Sequence, residues 1–189
     1  EEPLRNYERL LSRMLEARRV RCMLLVGGAG AGKSSALMAY QLALVPLGYE
    51  VAWLSLSPED DEPALFLDYL VASLARLDAG LVREAQWLTD MAPERESAER
   101  LMVSLIQAIN SCGKEVILVM DDLHLISENV LRASALQFLI DHAPPNFHLV
   151  VATRHAPPLA LGRLQAEGQL VELGPQDLRF TRHETADYL

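Results

Sequence analysis

Cysteine is scarce in this sequence, which has only Cys22 and Cys112 among its 189 residues. Neither cysteine has neighbours at a metal-ligand spacing, so the default expectation is a reduced, cytosolic protein. No apolar run is long enough to cross a bilayer and no signal-peptide pattern opens the chain, and we therefore expect no membrane association. The chain starts at Glu1 rather than at a methionine, as an excised fragment would.

Basic residues are also few relative to acidic ones. The 17 lysines and arginines against 26 aspartates and glutamates give a formal net charge of −9 and a pI near 5.0. This negative charge argues against binding of this chain to a nucleic-acid backbone. Any DNA binding should therefore come from another part of a longer protein. The composition is otherwise globular, with 50% hydrophobic and 23% charged residues, and the length suits one domain with a substantial core.

Four glycines lie within the six positions that follow the apolar run 23–26, in the segment MLLVGGAGAGKSS. The spacing Gly27-x-x-x-x-Gly32-Lys33-Ser34 fits the P-loop pattern at every fixed position. Glycines let the backbone turn and leave room for phosphate, while loop amides and the following helix N-terminus face the anion. On this pattern Lys33 reaches the β/γ-phosphates and the Ser34 hydroxyl is a Mg²⁺ ligand. The alternative is a glycine-rich turn without a ligand. The predicted nucleotide-binding residues are Gly28, Ala29, Gly30, Ala31, Gly32, Lys33, Ser34 and Ser35.

Apolar segments alternate with segments of helical periodicity along the chain, which is the pattern of an α/β fold. We predict a P-loop NTPase three-layer α/β/α sandwich with a five-stranded parallel sheet and right-handed crossovers. Residues 1–22 would be an N-terminal helix and lead-in, 23–180 the ATPase domain, and 181–189 the start of a truncated lid helix. The predicted strands are 23–26, 51–56, 116–120, 147–152 and 169–173, and the predicted helices are 4–17, 32–44, 64–77, 81–91, 94–111, 131–142 and 157–165.

Polar residues follow several of the predicted strands, and parallel strands present their carboxyl ends at one edge of a sheet. Asp121 and Asp122 end the apolar run 116–120, and a P-loop needs a metal-holding acid at such a place. We predict that Asp121 holds Mg²⁺ together with Ser34 and that Asp122 polarises the attacking water. The alternative for the two acids is a strand-to-helix cap. His124 either contacts these acids or simply packs.

An acidic loop, PEDDEP, occupies residues 58–63. Its four carboxylates suggest a metal site at first glance. Because they directly precede a helix start, capping by Asp61 or Glu62 and solvation are the favoured interpretation.

The strings VILVMDDLHLI and FHLVVATRHAPPLALGRLQAEGQLVELGPQDLRFT closely resemble the ATPase module of large LuxR-type transcriptional regulators related to the maltose-regulon activator. The string VAWLSLSPEDDEPALFLDYLVASL matches the same family, whose members belong to the signal-transduction ATPases with numerous domains (STAND). The resemblance covers almost the whole chain. The family loop usually carries a proline and an aromatic residue where this chain has Gly28 and Ala31.

The resemblance implies that the strand ending in Thr153-Arg154 flanks the P-loop strand, which would put Arg154 beside the γ-phosphate. It also implies an ATP/ADP switch, in which ATP and an inducer permit self-association. The residues alone place Arg154 on the ligand edge, where it could equally pair with Asp121 or Asp122 when nucleotide is absent. Arg154, Asp122 and Lys33 are the predicted catalytic residues.

Three functions are compatible with these patterns. We favour a slow switch ATPase that sets the assembly state of a transcription regulator, over a small-molecule kinase and over a nucleotide-binding scaffold without turnover. The paired acids, and an extra strand 51–56 between the P-loop strand and the acidic strand, suit water activation better than transfer to an acceptor.

Overall fold

The computed structural model describes residues 2–78 and 94–178. The predicted helix 81–91 and the predicted capping box at Thr181 lie outside the described residues. The helices are α1 (Glu2–Glu16), α2 (Lys33–Leu44), α3 (Pro63–Ala75), α4 (Glu94–Ser111), α5 (Glu128–Ala133), α6 (Leu136–His142), α7 (Gly162–Ala166) and α8 (Pro175–Leu178). The strands are β1 (Cys22–Val26), β2 (Tyr49–Ser55), β3 (Glu115–Asp121), β4 (Phe147–Thr153) and β5 (Leu170–Leu173). Short 3₁₀ turns occupy Val45–Leu47, Pro58–Asp60 and Leu123–Leu125.

The five strands form one sheet in the order β2-β3-β4-β1-β5, and every pair is parallel. The central strands are buried on both faces, because all seven residues of β4 and six of the seven in β3 are buried. Such continuous apolar strands need cover on both sides of a sheet. The predicted five-stranded parallel sheet is confirmed.

Alternate residues of β3 belong to two separate cores, one on each face of the sheet. Leu118 packs in the core that α3 to α7 complete, whereas Val119 packs in the core that α1 and α2 complete. Period-two alternation of side chains along a strand produces this division. Two helical layers around one sheet make a three-layer α/β/α sandwich, as predicted.

The predicted helix 131–142 is wrong, because two short helices replace it. The Ser127 hydroxyl accepts a hydrogen bond from the Val130 amide at 3.3 Å and starts α5 earlier than predicted. Ala135 then adopts a left-handed conformation with φ 59° and ends the first helical run. The bend lets α5 contact α3 while α6 contacts α4, so tertiary packing compensates for the unfavourable backbone.

The predicted helix start at Pro157-Pro158 is also wrong, since α7 begins only at Gly162. Pro158 disfavours a helical conformation at the residue before it. The intervening loop is held instead by the Gln137 side chain, which accepts from the Ala160 amide at 2.8 Å and donates to the Ala160 carbonyl at 2.9 Å.

The strand that follows the P-loop helix in the chain does not separate the P-loop strand from the acidic strand. β2 lies at the edge of the sheet beside β3, and β4 lies between β1 and β3. The predicted place of strand 51–56 between the P-loop strand and the acidic strand is therefore wrong, whereas β4 lies beside the P-loop strand, as the family resemblance implies. The residues that follow β4 therefore lie at the centre of the ligand edge.

Candidate nucleotide-binding site

The loop after β1 owes its shape to three of its glycines. Gly30 and Gly32 have φ of 74° and 83°, in the left-handed region that side chains disfavour. A Cβ on Gly27 would lie 3.0 Å from the Ala31 Cβ and 3.4 Å from Leu178 Cδ1, so close packing also requires glycine there. The Ala31 amide closes a turn on the Gly28 carbonyl at 3.2 Å.

The loop is followed directly by α2, which begins at Lys33. No side chain caps this helix start and its first turn carries no acidic residue. The first amides of a helix have no partners within the helix, and the helix dipole makes that end positive. Gly28, Ala29, Gly30, Ser34 and Ser35 are exposed around it, so an anion can approach the loop from solvent.

Lys33 is 7% exposed, and its ammonium lies across the inside of the loop. Its Nζ donates hydrogen bonds to the Gly27 carbonyl and, at 3.0 Å, to the Gly28 carbonyl. Burial lowers the pKa of Lys33, while the charges of Asp122 and Asp121 raise it and that of Arg154 lowers it. The lysine is thus held by neutral carbonyls within reach of both acids.

Asp121 ends β3 and contacts the P-loop helix directly. The Ser34 hydroxyl donates a hydrogen bond to Asp121 Oδ2 at 2.8 Å, although 87 residues separate the two in the chain. Asp121 is 7% exposed, and its Oδ1 is buried without a hydrogen-bond partner. Burial raises the pKa of Asp121, whereas the Ser34 hydrogen bond opposes the rise. The predicted metal ligands are therefore adjacent.

This pair fits Mg²⁺ by its chemistry. Mg²⁺ is usually held by one or two carboxylates together with substrate phosphates and water, rather than by an all-protein cage. Residues 2–78 and 94–178 contain no group of three or more His, Cys, Asp or Glu suited to a metal ion. The Ser34 hydroxyl oxygen and the unpaired Asp121 carboxylate oxygen lie beside a phosphate-binding loop. They match a Mg²⁺ site that a carboxylate, substrate phosphates and water complete together.

Asp122 follows Asp121 in a left-handed conformation, with φ 62° and ψ 41°. Aspartate and asparagine are the side chains that tolerate this conformation best. The turn directs the chain away from the strand and leaves Asp122 half-buried. Its charge raises the pKa of both Lys33 and His124, which indicates that it faces the same space as the P-loop lysine.

Arg154 follows β4, next to the P-loop strand. The Gly27 amide donates to the Thr153 carbonyl at 3.1 Å, so the P-loop and the Arg154 segment start from one point of the sheet. Arg154 is exposed. Within residues 2–78 and 94–178 its side chain forms no ion pair with Asp121, Asp122 or another acid. Its charge nevertheless lowers the pKa of both Lys33 and His124.

His124 lies against His155, with ring centroids 6.0 Å apart and an angle of 58° between the rings. The Nδ1 atom of His124 is buried without a hydrogen-bond partner. Burial lowers the pKa of His124, and the charge of Asp122 partly opposes this. His155 is not among the predicted site residues, although its position directly after the Thr153-Arg154 pair places it on the predicted ligand edge.

The acidic loop does not cap the helix that follows it. Glu62 occupies the N-cap position of α3 and Pro63 is the first helical residue, as predicted. No side chain makes a capping hydrogen bond there, so the predicted side-chain cap is wrong. Asp61 instead accepts a hydrogen bond from the Ser127 amide at 2.8 Å, before α5. This contact joins the β2 loop to the β3 loop beside the site.

The fold and the loop together define a P-loop nucleotide-binding domain. The profile of the AAA ATPase domain matches residues 3–152, and the chain belongs to this family. Family membership implies nucleotide binding.

The resemblance to maltose-activator-like regulators is also confirmed. The chain is 31% identical over 183 residues to the HTH-type transcriptional regulator MalT of Cronobacter sakazakii (strain ATCC BAA-894). It is 30% identical over 181 residues to the protein of the same name from Serratia proteamaculans (strain 568). Each match covers 96% of this chain, which spans 19% of the length of either relative.

Solved structures show the same fold at low sequence identity. A STAND protein with a tetratricopeptide repeat sensor from Pyrococcus horikoshii is 15% identical, with a TM-score of 0.56 over 88% of this chain and 22% of that one. Cdc6p from Pyrobaculum aerophilum is 14% identical, with a TM-score of 0.54 over 91% of this chain and 44% of that one. No helix in the described part of the chain is both long and apolar enough to span a membrane.

Proposed function

We propose that this chain is the ATP-binding and slowly hydrolysing switch domain of a larger transcription regulator, whose self-association depends on the bound nucleotide. The observation that carries the proposal is the contact between Ser34 and Asp121, with a buried and unpaired carboxylate oxygen beside the P-loop. Residues 23–180 would form the ATPase domain, preceded by a lead-in at 1–22 and followed by a lid that starts at 181.

The P-loop residues 28–35 bind the phosphates through backbone amides and the N-terminus of α2. Lys33 leaves the Gly27 and Gly28 carbonyls and turns to the β/γ-phosphates, where a charge-assisted contact replaces two contacts to neutral acceptors. Ser34 and Asp121 hold Mg²⁺, which neutralises charge on the phosphate oxygens when it is bound.

Asp122 orients the water that attacks the γ-phosphorus. The new bond joins the water oxygen to phosphorus, and the bond to the oxygen retained by ADP breaks. Arg154 faces the γ-phosphate, so its contact exists with ATP and is lost with ADP. This difference is what a two-state switch requires, since a ligand shifts an equilibrium only through differential affinity.

The regulatory part of the proposal is supported by the MalT relatives, which are transcriptional regulators. The net charge of −9 suits a domain that leaves DNA binding to other parts of a longer protein. An inducer would act through those parts as well. The proposed partners of this chain are nucleotide and, in the longer protein, further copies of itself.

The substitution Lys33→Ala tests the nucleotide site, measured by calorimetry with ATP–Mg²⁺. A hydrogen bond to a charged group is worth about 1.5–3 kcal/mol, so we expect roughly a ten- to hundredfold loss of affinity. Lys114→Ala is the matched control, because Lys114 is the only other lysine and pairs with Glu50 at 3.7 Å, away from the loop. Equal affinity of both variants and the parent would overturn the P-loop assignment.

Turnover and assembly need separate measurements. Release of inorganic phosphate without any acceptor would support the switch ATPase. Formation of ADP and a phosphorylated product only when a small-molecule acceptor is present would indicate a kinase. No formation of ADP under either condition would indicate a scaffold. Sedimentation of the complete gene product should show larger species with ATP–Mg²⁺ than with ADP–Mg²⁺. Identical profiles with the two nucleotides would contradict control of self-association.

A further inference from the structure

Ser55 ends β2 directly beside Asp121, which ends β3. The two residues are register partners in the parallel pair of strands, and the Leu56 amide donates a hydrogen bond to the Asp121 carbonyl at 3.1 Å. Neighbouring strands lie about 4.8 Å apart, and register partners point their side chains to the same face of the sheet. None of the predicted site residues lies on β2, so Ser55 is an addition to the site.

The side chains of Ser55 and Asp121 lie on the face of the sheet that α2 covers. Trp53 packs against the core on that face, and its Nε1 donates to Ser55 Oγ at 2.9 Å, so Ser55 shares the face. Asp121 is on the same face, because its Oδ2 accepts a hydrogen bond from Ser34 of α2. The three side chains of Ser34, Asp121 and Ser55 therefore meet at one place on the ligand edge.

The end of β2 is fixed on its outer side as well, although β2 is an edge strand. Because the Leu56 amide points towards β3, the Ser55 amide points away from β3. There it donates a hydrogen bond to Tyr69 Oη of α3 at 3.0 Å. The main chain of Ser55 is thus held by Tyr69 and its hydroxyl by Trp53, which gives this one side chain a defined orientation.

The Ser55 hydroxyl retains bonding capacity for the site. A serine hydroxyl offers one donor and two acceptor positions, and the Trp53 indole uses one acceptor position. Ser55 is exposed, so water reaches it. A water that donates two hydrogen bonds of about 2.8 Å spans acceptors about 4.5 Å apart, which is close to the spacing of paired strands. One water therefore fits between Ser55 and Asp121.

We propose that Ser55 is a positioning residue of the metal site, which shares one water with Asp121 and holds that water as a ligand for Mg²⁺. Mg²⁺ gives up its hydration water reluctantly and usually keeps several waters in a protein site. Two acceptors on neighbouring strands fix the orientation of such a water, because each accepts one of its hydrogens. Trp53 acts through Ser55, since its indole occupies one acceptor position and directs the other to the water. This inference rests on the proposed function, because it concerns the same site.

Calorimetry of ATP with Mg²⁺, and again with a chelator, gives the factor by which Mg²⁺ raises the affinity for ATP. Ser55→Ala should lower this factor about two- to tenfold, as expected for one hydrogen bond, and leave the metal-free affinity unchanged. Ser55→Thr keeps the hydroxyl in a residue that suits a strand, so it should restore the factor of the parent. Trp53→Phe keeps an aromatic ring without the Nε1 proton and should give an intermediate factor.

Ser111→Ala is the matched control. Ser111 is an exposed serine at the end of α4, shortly before β3 begins, so it lies at the opposite edge of the sheet from Ser55. It should change neither affinity. Equal losses of ATP affinity in Ser55→Ala with and without Mg²⁺ would indicate a structural role and overturn the inference. A Ser55→Thr variant with as low a factor as Ser55→Ala would also contradict it, because the hydroxyl would then not be the relevant group.

Indole NMR adds a measurement that does not depend on turnover. The Nε1 proton of Trp53, identified by the loss of its signal in Trp53→Phe, should shift when Mg²⁺ is added to the ATP complex of the parent and much less in Ser55→Ala. If the affinity of the parent for ATP does not depend on Mg²⁺, this inference and the metal site of the proposed function both fail. If it does depend on Mg²⁺ and Ser55→Ala matches the parent, this inference alone fails.

Discussion

Replacing Asp121 by asparagine should stabilise the nucleotide-free protein while it damages the site. The carboxylate is 7% exposed, Oδ1 is buried without a partner, and Oδ2 accepts a hydrogen bond from the Ser34 hydroxyl. A buried polar atom without a partner costs about 1–3 kcal/mol, and the cost is larger for a charge. The amide in Asp121→Asn removes the charge but weakens the bond from Ser34, so we expect a net gain of about 1 kcal/mol. In a chain of this length that corresponds to roughly 2–4 °C in Tm.

The pH dependence of this gain follows from the raised pKa of Asp121. A carboxyl whose pKa is higher in the folded than in the unfolded state binds its proton more tightly when folded. Its contribution to stability is fully present below the ordinary value near 3.8 and is lost as the pH rises through the folded-state pKa. The difference between Asp121→Asn and the parent should therefore be largest at neutral pH and shrink on acidification.

Thermal unfolding between pH 8 and pH 4, with and without ATP–Mg²⁺, measures both effects. Saturating nucleotide at about 100 times its Kd stabilises the parent by roughly 2.7 kcal/mol, which Asp121→Asn should not match because it holds Mg²⁺ poorly. The ranking of the two proteins should then reverse. Two results would refute the inference that the buried Asp121 charge destabilises the nucleotide-free protein. One is a lower Tm of nucleotide-free Asp121→Asn than of the parent at neutral pH. The other is a difference in Tm between the two proteins that does not change with pH.

Three further substitutions probe neighbouring positions. Asp122→Asn should leave ATP affinity intact and slow phosphate release, because asparagine also tolerates the left-handed backbone there; turnover at the parent rate would remove Asp122 from the mechanism. Arg154→Ala should weaken ATP but not ADP in calorimetry, and an equal loss for both nucleotides would indicate a structural role instead. Gly27→Ala should cost about 1 kcal/mol or more in denaturant unfolding, since its Cβ would meet Ala31 at 3.0 Å, whereas Gly28→Ala, with nothing within 4 Å, should not.

Local patterns were sufficient to predict much of the site. The P-loop spacing depends on neighbouring residues only, and so do the apolar runs that become β1, β3 and β4. The position of Asp121 at the end of such a run implies the ligand edge, because parallel strands align their carboxyl ends. The Ser34–Asp121 contact then follows from two local features and one general rule of α/β sheets.

The remaining features depend on which segments meet in space. The order of strands along the chain does not specify their order in the sheet, so the edge position of β2 could not be derived from residues 49–55 alone. The contact of His124 with His155, and that of Asp61 with Ser127, joins loops that follow different strands. Such contacts exist only after the sheet has formed, because they are selected by packing between distant segments and not by the conformational preference of either one.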